Sequence, residues 1–172
     1  CLELPLIFKQ TSGEKEKELD DLKAAFVDAI SKWGITGVIT GAVSSNYQEE
    51  RINRICQELG LKVYSPLWHK NQEQLVEEMI AAGFSIYIQG IAGDGLTSEY
   101  LGQQIDMKMF HRLQRLHETH GIHVAGEGGE YESLVLDGPL FKKKIEVVSA
   151  VTEMDTACSG VWVIKEVKIV EK

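Results

Sequence analysis

Glu127, Glu130 and Glu132 are interleaved with Gly126, Gly128 and Gly129 in the run Gly126-Glu127-Gly128-Gly129-Glu130-Tyr131-Glu132-Ser133. Three carboxylates this close repel one another, and a fold tolerates them by supplying a cation, a set of donors or a raised pKa. The glycines permit close backbone approaches that a Cβ would block, and a packed strand gains nothing from so many of them. An acidic, solvated turn ahead of a strand accounts for any one of these glutamates. The combined pattern of acids and bare backbone points instead to a site. On the strand that the spacing predicts from about Glu130, Glu130 and Glu132 share one face, while Tyr131 and Ser133 share the other. Two carboxylates beside an aromatic ring suit a cationic substrate, by charge and by cation–π attraction. They equally suit Mg2+, which takes one or two carboxylates with waters and phosphates. The residues alone leave both open.

A second candidate is the loop Gly41-Ala42-Val43-Ser44-Ser45-Asn46. It is placed where an open parallel sheet binds ligands, between the carboxyl end of a strand and a helix N-terminus. Ser44, Ser45 and the backbone N–H groups there suit a phosphate, and Arg51, one turn into the helix, has the reach to assist. Taken by itself the loop needs no ligand, because Ser45 and Gln48 fit a capping box and Arg51 reads as a helix-surface residue. His117, His120 and His123 do not make a metal face, since Gly121 breaks the helix between them. They read as solvated or core histidines, and no metal ligands are assigned. Thr11-Ser12-Gly13-Glu14-Lys15 lacks the glycine spacing and trailing Lys-Ser/Thr of a phosphate loop and reads as a helix start. Lys142-Lys143-Lys144 reads as a solvated strand edge.

The 172 residues allow one good core or two small subdomains. A net charge of −8 and a pI near 5.2 argue against a sequence-independent grip on nucleic acid, which needs clustered Lys and Arg. They leave room for a protein partner with a basic surface. No stretch is long and apolar enough to span a bilayer, and no signal-peptide pattern opens the chain. Cys1, Cys56 and Cys158 show no C-x-x-C spacing, so neither a disulfide framework nor a thiolate zinc site is implied. A cytoplasmic protein is the expectation.

Several elements must position the two candidate loops. Leu2 to Phe8 reads as a helix end followed by a buried strand at Leu6-Ile7-Phe8. After the capping-box pattern Thr11-Ser12-Gly13-Glu14, a helix places Leu19, Leu22, Phe26, Ile30 and Trp33 on one face and stops at Gly34. Ile35–Thr40 reads as a fully buried strand, Ile52, Ile55, Cys56 and Leu59 as the stripe of the next helix, and Leu61–Ser65 as another strand. This order predicts a right-handed parallel βαβ unit. The character shifts around Pro66-Leu67-Trp68, which divides the chain into domains 1–68 and 69–172. In the second, a helix over Glu73–Ala82 buries Leu75, Val76, Met79 and Ile80, and a strand over Phe84–Gly90 alternates Phe84, Ile86 and Ile88 against Ser85, Tyr87 and Gln89. A short helix starts near Ser98, and a further helix runs to Thr119 with Phe110, Leu113 and Leu116 on one side. Strands Lys144–Val148 and Val161–Val170 form an antiparallel pair across a long connection.

The stretch from Gly126 to Ser133, continued by Leu134-Val135-Leu136-Asp137-Gly138-Pro139-Leu140-Phe141, closely resembles the signature of diphthine–ammonia ligases, members of the PP-loop ATP pyrophosphatase superfamily. Three other segments agree in order and spacing: Gly13-Glu14-Lys15 with Glu18, Asp21 and Leu22; Gly41 to Gln48 with Arg51; and Gly95-Leu96 with Leu101-Gly102. The resemblance implies an α/β fold. Its Rossmann-like (HUP, adenine nucleotide alpha hydrolase-like) parallel sheet is N-terminally incomplete here and is followed by a smaller α+β substrate domain. It implies amidation of diphthine, a modified histidine of translation elongation factor two, with ATP, Mg2+ and ammonium. The carboxylate is adenylated, pyrophosphate leaves, and ammonia displaces AMP to give diphthamide.

Gly41, Ala42, Ser44, Ser45, Gln48 and Arg51 then face the nucleotide. Gly126, Gly128, Gly129, Tyr131 and Ser133 line the substrate side, with Glu127, Glu130 and Glu132 as catalytic candidates. The quaternary ammonium of diphthine suits this cluster. The implied partners are the elongation factor and ammonium, with no membrane or direct nucleic acid and with a homodimer left open. The family's Ser-Gly-Gly-x-Asp-Ser loop is missing here and is expected upstream of Cys1. Two rivals stand beside this reading: a non-catalytic adenine-nucleotide sensor, and a PP-loop enzyme acting on transfer RNA.

Overall fold

A computed structural model describes residues 1–11 and 18–172 of the chain. Most of the capping box expected at Thr11-Ser12-Gly13-Glu14, and the Gly13-Glu14-Lys15 part of the resemblance, lie outside the described residues. The protein is mixed α/β, with a small parallel sheet and a larger antiparallel one. Its two units are Leu4–Lys70, and Asn71–Lys172 together with Cys1–Glu3. In this chain the latter is the larger.

The unit Leu4–Lys70 contains α1 (Glu18–Trp33), β1 (Gly37–Ile39), α2 (Asn46–Glu58) and β2 (Lys62–Tyr64). The stripe of α1 buries Leu19 and half-buries Leu22, Phe26 and Ile30. Gly34 ends the helix with φ 62°, a left-handed angle that glycine adopts without strain, and its N–H donates to the Ile30 carbonyl at 2.8 Å. β1 and β2 pair in parallel, with Gly37 opposite Lys62 and Ile39 opposite Tyr64, and α2 runs between them in sequence. Two strand expectations fail. Ile35–Thr40 is not a long buried strand: β1 has three residues and Ile39 is 76% exposed. Side chains alternate across a strand, and a two-stranded sheet leaves one side of each with little to pack on. Leu6-Ile7-Phe8 forms no strand, because no described strand pairs with it, and Leu6 and Phe8 are both exposed.

The unit containing Asn71–Lys172 has α3 (Gln72–Ala81), β3 (Ser85–Ala92), a 3-10 turn (Ser98–Tyr100), α4 (Met107–His120), β4 (Tyr131–Asp137), β5 (Lys143–Met154) and β6 (Ser159–Glu171). The strands form one antiparallel sheet in the order β4-β3-β6-β5. Ile86 and Ile88 of β3 are buried as the alternation predicts. They join Val76 of α3, Phe110 and Leu113 of α4 and Tyr131 of β4 in one core. Each helix has a side-chain cap. Asn71 accepts from the Glu73 and Gln74 N–H groups at 3.0 Å, and Asp106 accepts from the Met109 N–H at 2.8 Å. Gly121, φ 74°, closes α4.

The connection between β5 and β6 differs from expectation. They are the arms of one hairpin, 12 and 13 residues long, joined by the short turn 155–158 rather than by a long connection. β3 pairs with β6 only from Gly90 to Ala92. Beyond that point the 102–105 segment takes over the edge of β3, and the Ile88 N–H donates to Gln103 O at 3.0 Å. The lysine run lies at the start of β5, where Lys143 pairs with Glu171 at 2.7 Å and Lys144 with Glu146 at 3.1 Å.

Candidate functional site

The acid loop is built on one buried residue. Val124 has no exposed surface, and both of its backbone polar groups are satisfied by side chains. Its N–H donates to Gln72 Oε1 of α3 at 2.5 Å, and its carbonyl accepts the Tyr131 hydroxyl at 2.6 Å. Tyr131 thereby ties the far end of the loop to its base. The ring is only 3% exposed, so it closes the loop rather than presenting a face to a cation. Burial pushes the phenol pKa well above its ordinary value, and the charges of Glu130 and Glu127 add to the rise. The hydroxyl therefore stays protonated and able to donate.

The glycines are explained by the same closure. Gly126 has φ 74°, and a Cβ there would lie 3.0 Å from the Tyr131 ring. At Gly128 a Cβ would overlap the Glu130 carboxylate, which folds back over the loop. Gly93, at the end of β3, would meet Glu130 Cβ at 2.8 Å if it carried a side chain. Glu130 is thus wedged between two bare stretches of backbone.

The three glutamates separate into an inner one and two outer ones. Glu130 Oε1 accepts from the His123 N–H at 3.2 Å, while its Oε2 is buried with no hydrogen-bond partner. Its carbonyl accepts the Ala92 N–H at 2.7 Å, so the ladder with β3 extends one residue before β4 begins. Glu127 and Glu132 are exposed. Glu132 lines a hollow of about 190 Å3 with Gly129, with Asp155 of the turn between β5 and β6, and with Ser159 at the start of β6. Ser133 is exposed and sits opposite Ile88 in the ladder. This arrangement offers two solvent-facing carboxylates and one sequestered carboxylate oxygen without a hydrogen-bond donor. A groove of about 610 Å3 elsewhere in this unit, lined by Tyr87, Asp137, Glu146 and Trp162 among others, contains none of the candidate residues.

The histidines have separate partners. His117 Nδ1 lies 2.7 Å from the Ile122 carbonyl, His120 Nδ1 2.7 Å from Thr119 Oγ1, and His123 Nδ1 accepts from the Glu127 N–H at 3.4 Å. No three metal-ligating side chains converge among the described residues.

In the other unit, Ser45 caps α2 by accepting from the Gln48 N–H at 3.4 Å. Gly41 and Ser44 are exposed, Ala42 and Val43 are buried, and the Gln48 side chain is exposed. Arg51 turns toward its own helix: Nη1 donates to the Tyr47 carbonyl at 3.2 Å, and the guanidinium lies 3.1 Å from the Tyr47 ring centroid. At the carboxyl ends of β1 and β2, Thr40 Oγ1 donates to Ser65 Oγ at 3.0 Å and accepts from the Ala42 N–H at 3.4 Å. This hydroxyl pair sits where parallel sheets bind ligands. The sequence reading did not include it, because its members are far apart in the chain. The same holds for Gln72 and Asp155 around the acid loop. The close approach at Gly93 was signalled only by its being a glycine.

Residues 71–170 match the family described as the diphthamide synthase C-terminal domain, and residues 1–63 match the diphthamide synthase N-terminal domain. Curated proteins named diphthine–ammonia ligase are similar along most of the chain. The mouse protein (Mus musculus) is 40% identical over 157 residues, which is 91% of this chain and 57% of the mouse protein. The fission yeast protein (Schizosaccharomyces pombe) is 36% identical, over 84% of this chain and 26% of its own length. The zebrafish protein (Danio rerio) is 34% identical, over 94% of this chain and 63% of its own. The chain thus spans between 26% and 63% of the length of these relatives.

Proposed function

This chain belongs to the diphthamide synthase family, and we propose that it serves the ATP-dependent amidation of diphthine on translation elongation factor two. The diphthine carboxylate attacks the α-phosphorus of ATP, the α–β anhydride bond breaks, and pyrophosphate leaves. Ammonia then bonds to the acyl carbon as the acyl–oxygen bond to AMP breaks, and a proton passes to solvent. The products are diphthamide, AMP and pyrophosphate. The observation that carries this reading is the division of the acid loop. Glu127 and Glu132 stand in solvent, one of them at a hollow, where they can receive a quaternary ammonium group.

In this reading Glu130, wedged between Gly93 and Gly128, holds the loop's shape and stands as the inner of the three catalytic candidates. Gly126, Gly128 and Gly129 let the backbone approach, and Ser133 flanks the substrate. Tyr131 contributes by closing the loop. The nucleotide is assigned to Gly41, Ala42, Ser44, Ser45, Gln48 and Arg51, with buried Ala42 acting through its backbone. We assign residues 1–68 to a Rossmann-like nucleotide domain and 69–172 to substrate recognition, in a cytoplasmic protein. The described residues do not build a Mg2+ cage. The ion fits only as one that arrives with the nucleotide phosphates and keeps its waters.

The test is to give the full-length protein ATP, ammonium and diphthine-bearing elongation factor. AMP and an amidated factor, formed together and dependent on each component, are expected. ATP binding without AMP would make the protein a nucleotide sensor. AMP release dependent on transfer RNA would make it an RNA-modifying enzyme. Either result would overturn the proposal.

A further inference from the structure

We infer that Gln72 is a positioning residue for the acid loop, an inference that rests on the reading of that loop as the substrate-capturing element. Gln72 is the first residue of α3 and 52 positions from the peptide it holds, yet its Oε1 accepts the Val124 N–H at 2.5 Å. The Val124 carbonyl accepts the Tyr131 hydroxyl at 2.6 Å. Gln72 and Tyr131 therefore hold Val124 from both sides, through the N–H of one peptide group and the carbonyl of the next, and Tyr131 lies directly between Glu130 and Glu132 in sequence. The Tyr131 bond is buried and the Gln72 bond half-buried, and a buried donor or acceptor left without its partner is expensive.

The two ends of the loop are tied down differently. The far end is held by β3, through the Ala92 N–H and the Glu130 carbonyl at 2.7 Å. The near end lies outside any strand and draws its anchor from side chains, with Gln72 on Val124 and His117 on the Ile122 carbonyl. The helix that carries Gln72 is itself braced. Glu73 Oε2 accepts from Gln114 Nε2 of α4 at 3.0 Å, and Asn71 caps the helix start. The acceptor is thus presented from a fixed position. Without it the buried Val124 N–H must turn toward water, and the segment that turns carries Gly126, Glu127 and Gly128 with it.

Two substitutions in the full-length protein separate this role from a general loss of fold. Gln72→Met keeps the side-chain length and removes the acceptor, while Gln72→Glu keeps an acceptor oxygen. With ATP, ammonium and diphthine-bearing elongation factor, Gln72→Met is expected to raise KM for the factor roughly tenfold with kcat within about twofold, the pattern of lost ground-state binding. Gln72→Glu is expected to restore KM to near the parent value. In hydrogen–deuterium exchange without substrate, the amides of 124–131 should exchange faster in Gln72→Met and not in Gln72→Glu, with β3 and α4 unchanged. Unchanged KM and exchange in Gln72→Met would overturn the inference. So would equal damage by both variants with faster exchange throughout the unit. If the parent protein forms no amidated product, it is the proposed function that fails, and the exchange result alone decides the role of Gln72.

Discussion

Replacing Tyr131 by Phe removes one oxygen and leaves the ring where it is. The hydroxyl donates to the Val124 carbonyl at 2.6 Å, and donor and acceptor residues are 3% and 0% exposed. Since the ring still fills its place, no substantial cavity opens, and the cost is that of a buried carbonyl left without its donor, about 1–3 kcal/mol. In a unit of this size that corresponds to a fall in Tm of at least about 4 °C. Circular dichroism melts of parent and variant measure it directly. Alkaline pH supplies a second, independent reading. The folded phenol has its pKa raised, chiefly by burial, so the stability it contributes is complete below the unfolded value of about 10. It is lost as pH rises from there toward the folded value, because the unfolded chain releases a proton that the folded chain retains. Tyr131→Phe should therefore be less stable than the parent at pH 7 and should lose less stability between about pH 9 and 11. Equal melting temperatures at pH 7, or parallel alkaline losses, would refute the closure of the loop by Tyr131.

Other substitutions test other parts of the structure. Gly126→Ala places a Cβ at φ 74° and 3.0 Å from the Tyr131 ring. A cost of about 1–2 kcal/mol from the backbone angle alone is expected, read as a lower denaturation midpoint. Asp106→Ala removes the 2.8 Å cap of α4 and should cost about 1 kcal/mol in urea unfolding, with no effect if the cap is idle. Glu130→Gln retains an acceptor for the His123 N–H while removing the charge. It should leave Tm near that of the parent and weaken binding of the modified factor, measured by calorimetry; unchanged affinity would remove Glu130 from the site.

The helices were legible because their cause is local. The stripe of Phe110, Leu113 and Leu116 and the terminal Gly121 already specify α4, and Gly34 marks the end of α1 in the same way. Ile86 and Ile88 announced the buried face of β3 by alternation. The acid loop was legible as a site candidate, but its internal geometry was not. A linear reading gives Glu130, Tyr131 and Glu132 as equals on alternating faces, whereas Gly93 and Gly128 fold one of the acids inward. Gln72 and Ser65 carry no local mark, since what they touch lies 52 and 25 residues away. Leu6-Ile7-Phe8 misled because an apolar run becomes a strand only when another strand lies beside it. The β5–β6 hairpin was misread as a long crossing because register shifts at Val147 to Ala150 break its alternation. The turn between its arms also lacks the Asn-Gly or Asp-Gly pair that advertises a tight hairpin.

The hairpin is fastened to its sheet by a short joint. Of the 13 residues of β6, only Ser159, Gly160 and Val161 share a ladder with β3. The distal rungs pair with the opposite arm and are tied to the end of β4, where Lys172 Nζ donates to the Gly138 carbonyl at 2.7 Å and pairs with Asp137 at 2.6 Å. Those rungs carry Val167 and Ile169 at 49% and 61% exposure. Local opening there breaks the Lys172 contacts while leaving Ile88 and Phe110 in the core. Exposed aliphatic side chains beside an unpaired strand edge make this end of the ribbon the natural place for a second strand to add.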